Sequence, residues 1–145
     1  MSNIEQTLSI IKPDAVERNL QDQIKNEFKN NGFEILKEKK IHISKEEAEK
    51  FYKVHESKPF YNDLCTYLSS GPIVVMNLQK DNAVLENRKL MGATNPKEAE
   101  DGTLRKKYGI SIDKNSVHGS DSVENAKIEI DFFIVYFFMS SYLLL

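Results

Sequence analysis

Residues 114–126 read KNSVHGSDSVENA and set His118, Gly119, Ser120 and Asp121 in direct succession. Histidine, serine and aspartate are the parts of a hydrolase triad, but a triad needs the imidazole between the other two groups, one on each ring nitrogen. Neighbours in one tight turn rarely deliver that, and the chain has no G-x-S-x-G elbow. Zinc needs three or four ligands, whereas three scattered histidines and one cysteine show no ligand spacing. Two readings stay open on these residues alone. Ser120, Asp121 and Ser122 cap a helix beside a satisfied strand histidine, or His118 is a single reactive group.

Basic residues supply the second chemical signal. Arg88 follows Val84 by four positions and precedes Met91 by three, so it shares their helical face. It is either a snorkelling arginine over the core or a guanidinium aimed at an anion. Lys12 closes an apolar run, and Thr94, Arg105, Lys106 and Lys107 fall in an irregular segment. Lys12, Arg88 and Arg105 belong to three different elements that can converge on one polyphosphate. With no GxxxxGK[ST] loop and no GxGxxG, side chains rather than a glycine nest would have to hold the phosphates.

The elements that position these residues must fit one domain, since the chain has 145 residues. Apolar content of 40% and charged content of 29% are those of a soluble globular protein. A net charge of −2 gives no global attraction to nucleic acid or an anionic membrane. A lone Cys65 and an N-terminus without a basic, long-apolar leader point to a reducing, cytoplasmic setting. From Phe132 to Leu145 the chain reads FFIVYFFMSSYLLL, uncharged and too short for a normal membrane span of about 20 residues. That run is read as a packed or interface-buried tail, with a peripheral anchor as the alternative.

TLSIIKP reads as a buried strand, with Pro13 forcing Lys12 extended. Leu20, Ile24 and Phe28 mark a first helix closed by Asn31-Gly32, and FEILKEKKIHI alternates as a strand. Ser44 and Glu47 form a capping box for a helix with the stripe Ala48, Phe51, Tyr52 and His55. A further helix follows Pro59, with the stripe Phe60, Leu64, Tyr67 and Leu68. IVVMNL reads as a central strand, and Asp81 as the N-cap of the next helix. Residues 92–115 show little regular pattern, which in a compact domain marks a functional loop. A short SVH strand then leads to a last helix, capped by Asp121 or Ser122, with Val123, Ala126, Ile130 and Phe133 on its stripe. This order predicts an α+β, ferredoxin-like split βαβ sandwich: a four-stranded, mostly antiparallel sheet with helices on one face.

TLSIIKPDAV, KPF, SGPIVVM, GATNP and NSVHGSDSVENA, in this order from Thr7 to Phe133, closely resemble the nucleoside diphosphate kinase family. The resemblance implies a two-step transfer of the γ-phosphate from a nucleoside triphosphate such as ATP to a diphosphate, with broad base preference and a phosphohistidine between the steps. It makes His118 the carrier through Nδ1, with Glu129 on Nε2 and Ser120 beside the phosphate. An imidazole with an ordinary pKa of about 6.5 is largely neutral and nucleophilic at pH 7, so no base need act first. Lys12, Tyr52, Arg88, Thr94 and Arg105 match the family's phosphate-site residues, and Asn115 and Lys12 those that hold the ribose hydroxyls. Phe60 matches the aromatic that stacks on the base, with Ile112 flanking the other side.

By the same resemblance Mg²⁺ rides mainly on the nucleotide phosphates, with no protein metal ligand, and the chain forms a homo-oligomer, a hexamer or tetramer. His42 and His55 are structural. Asn19 and Asn87 stand where the family commonly has glycine; the first suits a turn and the second is expected to be harmless in a helix. The domain spans 1–133, and 134–145 form an apolar tail unlike the polar end usual in the family. The rival reading is a family-fold binding protein or assembly subunit without catalysis. Intact His118, Lys12 and Arg105 argue against it, and the acidic pI of about 5.9 argues against general nucleic-acid binding.

Overall fold

A computed structural model describes residues 3–138. Its elements in chain order are β1 (Ile4–Ile11), α1 (Pro13–Glu17), α2 (Gln21–Asn30), β2 (Glu34–Ile41), α3 (Lys45–Phe51) and, after a 3-10 turn at Lys53–His55, α4 (Tyr61–Leu68). There follow β3 (Ile73–Asp81), α5 (Ala83–Met91), α6 (Leu104–Tyr108), β4 (Val117–Gly119) and α7 (Val123–Phe138). The four strands form one sheet in the order β2-β3-β1-β4, with every pair antiparallel. β3 lies between β1 and β2, and β1 between β3 and β4, so each crossover is a split βαβ unit as expected.

Helices cover both faces of the sheet, not one. Along β1 the side chains alternate between two cores. Ile11 joins Val16, Phe28, Met76, Leu78 and Val117 beneath α1, α2, α5 and α6. Leu8 and Ile10 join Tyr52, Leu68, Val75 and Phe133 beneath α3, α4 and α7. The last five residues of β1 and the first six of β3 are buried whichever way they point. A strand dry on both sides needs a helical layer on each. The α3–α4 pair, inserted between β2 and β3, supplies part of the second layer.

Other local expectations shift by a residue or an element. Asp81 is not the cap of α5: it ends β3 and its Oδ1 accepts from the Asn3 amide at 2.9 Å. Asn82, at φ +53, takes the cap position. The patternless stretch holds α6, capped by Thr103, whose hydroxyl accepts from the Lys106 amide. In α3 the capping box is present, but the helix stops at Phe51, leaving Tyr52 as its C-cap and His55 in the 3-10 turn. Phe60 precedes α4 as its N-cap and stands exposed, while Cys65 and Leu68 provide the buried side. α7 is capped by Ser122, whose Oγ accepts from the Asn125 amide at 3.0 Å, rather than by Asp121. It continues through Ile134 to Phe138, and residues 139–145 of the apolar run lie outside the described residues.

Candidate active site

β4 pairs with β1 so that His118 lies opposite Ile10 while Val117 and Gly119 lie opposite Ile11 and Ser9. His118 therefore projects to the second face, toward α3 and α7. Its ring meets Phe51 edge-on at 5.3 Å and Tyr52 at 6.4 Å between centroids. Nε2 lies 2.9 Å from Glu129 Oε1, one and a half turns into α7. The Ser120 hydroxyl, fully buried, donates to the same oxygen at 2.9 Å and accepts from the Leu8 amide at 3.2 Å. Ser120 thus fixes Glu129, and Glu129 fixes the imidazole. A carboxylate only accepts, so Nε2 carries the ring proton and Nδ1 keeps its lone pair.

Cations gather from three elements. Lys12, 6% exposed at the end of β1, donates from Nζ to Asn115 Oδ1 at 2.9 Å. Burial lowers its ammonium to about 8, with the Arg105 guanidinium as the second cause. Arg105, on α6, is itself lowered to about 10, first by burial and then by Arg88 from α5. Each of these charges is thus disfavoured by the next. Arg105 donates to the carbonyls of Gly92 and Val117 at 3.0 Å each, and its Nε is buried without a partner. Burial, and next the charge of Glu129, push the buried Tyr52 phenol upward, so it stays protonated as a donor. A cluster of mutually opposed cations beside an imidazole is suited to a polyanion.

The remaining expected residues differ in how far they are enclosed. Asn115 is buried and also donates from Nδ2 to the Thr94 carbonyl at 3.1 Å, while the Thr94 residue itself is exposed, as is Arg88. Phe60 and Ile112 stand 48% and 55% exposed, open for contact with a planar ligand. The ring neighbours of Phe60 are His55 at 6.1 Å and the Lys58 ammonium at 5.8 Å. Among the described residues no group of three or more His, Cys, Asp or Glu converges to hold a metal ion.

The family model for nucleoside diphosphate kinase matches residues 5–137. The chain belongs to the nucleoside diphosphate kinase family. It is 58% identical over 130 residues to the nucleoside diphosphate kinase of Campylobacter fetus, covering 90% of this chain and 95% of that protein. The one from Geotalea uraniireducens is 55% identical over the same shares. Among solved structures, that of the Aquifex aeolicus nucleoside diphosphate kinase superimposes with a TM-score of 0.89 at 35% identity, covering 96% of this chain and 97% of that one. The Encephalitozoon cuniculi nucleoside diphosphate kinase gives 0.86 at 39% identity, with 90% and 88% covered. The protein is a nucleoside diphosphate kinase, an enzyme that transfers phosphate between nucleotides.

Sequence reasoning missed two features around this candidate site. Asn87 is not a bland helical residue: it is fully buried, with both amide atoms unpartnered, against Gly119. Asp14, Arg18 and Tyr67 form a hydrogen-bonded knot behind Asn115 and Ser116. Only the clustering of Asp14 and Arg18 one helical turn apart hinted at it.

Proposed function

We propose that transfer runs in two steps through a phosphohistidine on His118. The observation that carries this reading is the tautomer fixed by Glu129, which leaves Nδ1 as a free nucleophile on the same site as Lys12, Arg88 and Arg105. In the first step the Nδ1 lone pair forms a bond to the γ-phosphorus, and the bond from that phosphorus to the β–γ bridging oxygen breaks. The diphosphate leaves with the electron pair. Positive charge that develops on the ring is met by Glu129 across the Nε2 proton, and charge on the phosphoryl oxygens by the three cations and the Tyr52 phenol. The second nucleoside diphosphate reverses these events with its terminal oxygen as acceptor.

Asn115 and Lys12 are assigned to the ribose hydroxyls, Thr94 to the phosphates, and Phe60 with Ile112 to the base. Stacking against any π-face supports broad base preference, because base edges need few hydrogen bonds. Ser120 acts beside the phosphate by holding Glu129. Mg²⁺ enters as part of the substrate, on the nucleotide phosphates, since the one carboxylate gathered here, Glu129, is engaged by His118 and Ser120 and the phosphate-side groups are cations and neutral donors. The protein works in the cytoplasm, a setting supported by its single, buried Cys65. No helix among the described residues is long and apolar enough to cross a membrane. It assembles as a homo-oligomer, a hexamer or tetramer, which light scattering would measure.

Incubation with ATP labelled on its γ-phosphate should leave an acid-labile, base-stable label on the protein. His118→Ala should lose both label and transfer to a second diphosphate. A variant that keeps full transfer, or labels elsewhere, would overturn the assignment.

A further inference from the structure

We propose that Asp14 is a positioning residue that holds Ser116 in a left-handed backbone conformation and so sets where Asn115 and His118 stand. Ser116 is fully buried and has φ +76°, a region in which a side chain bearing Cβ is sterically disfavoured. Such a residue persists only where its surroundings over-determine it. Here they do. Its carbonyl accepts from the Lys12 amide at 2.8 Å, and its hydroxyl donates to Asp14 Oδ2 at 2.8 Å. Arg18 Nη2 donates to that same carboxylate oxygen at 3.0 Å, to the Ser116 hydroxyl at 3.3 Å and to the Tyr108 carbonyl at 2.6 Å. The Tyr67 hydroxyl donates to the other carboxylate oxygen and accepts from the Asp14 amide at 2.9 Å. Asp14 is 5% exposed, so both of its oxygens are satisfied out of water.

The left-handed residue separates two parts of the site. On one side Asn115 turns its amide back to Lys12 and the Thr94 carbonyl. On the other Val117 enters the ladder opposite Ile11, which fixes His118 opposite Ile10. With Ser116 at negative φ the chain would leave this path, and Asn115 and His118 could not both keep their places. None of the groups in the clamp touches the reacting atoms; they act through the backbone. The proposal rests on the reading of His118 as phosphate carrier, because that is the group being placed.

Asp14 also supports the Lys12 charge, so loss of activity in Asp14→Ala alone would not identify its role. Glycine at 116 separates the two, since it adopts positive φ without penalty and cannot restore a charge. The measurement is the single-turnover rate at which γ-labelled ATP phosphorylates the full-length protein, with Tm recorded for each variant. Asp14→Ala should slow labelling about tenfold or more, as expected of a displaced nucleophile. Ser116→Gly should label near the parent rate, and Asp14→Ala/Ser116→Gly should recover to within about threefold of Ser116→Gly. A double variant as slow as Asp14→Ala would overturn the proposal. Ser116→Ala, which keeps Cβ and loses the hydroxyl, tests it without touching Asp14: it should label more slowly than Ser116→Gly, and equal rates would also overturn it. Label retained by His118→Ala would instead overturn the phosphohistidine reading.

Discussion

Lys12 shows how a residue is made useful at a cost to the fold. Its ammonium is buried beside Arg105 and titrates at about 8 instead of 10.5. The folded state therefore releases the proton first as pH rises. Between about 8 and 10.5 the unfolded chain holds more protons, so this group's contribution to stability improves with pH; below 8 the full cost of burying the cation is present. Lys12→Met should gain Tm relative to the parent most below pH 8, and that difference should narrow toward pH 10.5, by thermal denaturation at each pH. The same substitution should cut kcat/KM by on the order of 10²-fold, the loss expected when a donor aimed at developing charge is removed. On the proposed phosphate role of Lys12, kcat/KM of the parent should fall as pH rises through about 8, where the free enzyme loses the cationic form. With nucleotide bound, the neighbouring phosphates favour the charged form, so the fall in kcat should come at higher pH. Residue identity alone suggested Lys12 as a phosphate ligand but not its titration, which depends first on burial and then on Arg105 arriving from 93 positions away. The Asp14 clamp was hidden for the same reason, since nothing in a sequence marks Ser116 as left-handed.

At the scale of elements, long periodic segments were legible and their junctions were not. The capping box at Ser44 and the central run IVVMNL carry their own signals and appear where expected. Asp81 looked like a cap because aspartate is a good one, but the strand runs three residues past IVVMNL, and Asp81 pairs with Ile4. α6 has five residues and little pattern of its own; buried Leu104 and the Thr103 cap hold it against the first core. The contact between α5 and β4 is the junction that matters most to the site, because Asn87 precedes Arg88 and Gly119 follows His118. A Cβ at Gly119 would lie 2.4 Å from Asn87 Nδ2 and 2.7 Å from Met91 Cε. Gly119→Ala should lower stability by about 1–3 kcal/mol through overpacking, measured by urea unfolding. Asn87→Ala removes the clashing, unpartnered amide. In that background the same Gly119→Ala change should cost less than half as much, a coupling expected of side chains that share one space.

At the scale of the whole molecule, the split βαβ class followed from the order of strands and helices, but helices on both faces did not: β3 is apolar at both parities, whereas in β1 Thr7 and Ser9 alternate with Leu8 and Ile10. The resemblance could name candidate site residues because they lie in short, specific strings; the apolar end had no such guide. In α7 the side facing the sheet is built into the second core. Phe133 is fully buried, Tyr136 packs 5.9 Å from it, Phe132 meets the Phe51 ring at 5.6 Å, and Phe137 packs against the same core. The other side is open, with Ile128, Val135 and Phe138 at 66%, 60% and 70% exposure. Phe138 lies beneath the Lys37 ammonium at 3.9 Å, tying the end of the helix to β2. Removing residues 134–145 therefore takes away two aromatic side chains that cover the core under His118. A loss on the order of 2 kcal/mol follows from their partial burial, lowering Tm by roughly 5 °C in differential scanning calorimetry. Val135→Glu, on the open side, should stay within about 0.5 kcal/mol of the parent. If truncation and Val135→Glu lower Tm equally, the helix end owes its stability to the outer face rather than to the core. If truncation alone does so, the apolar run up to Phe138 is part of the kinase domain's own packing.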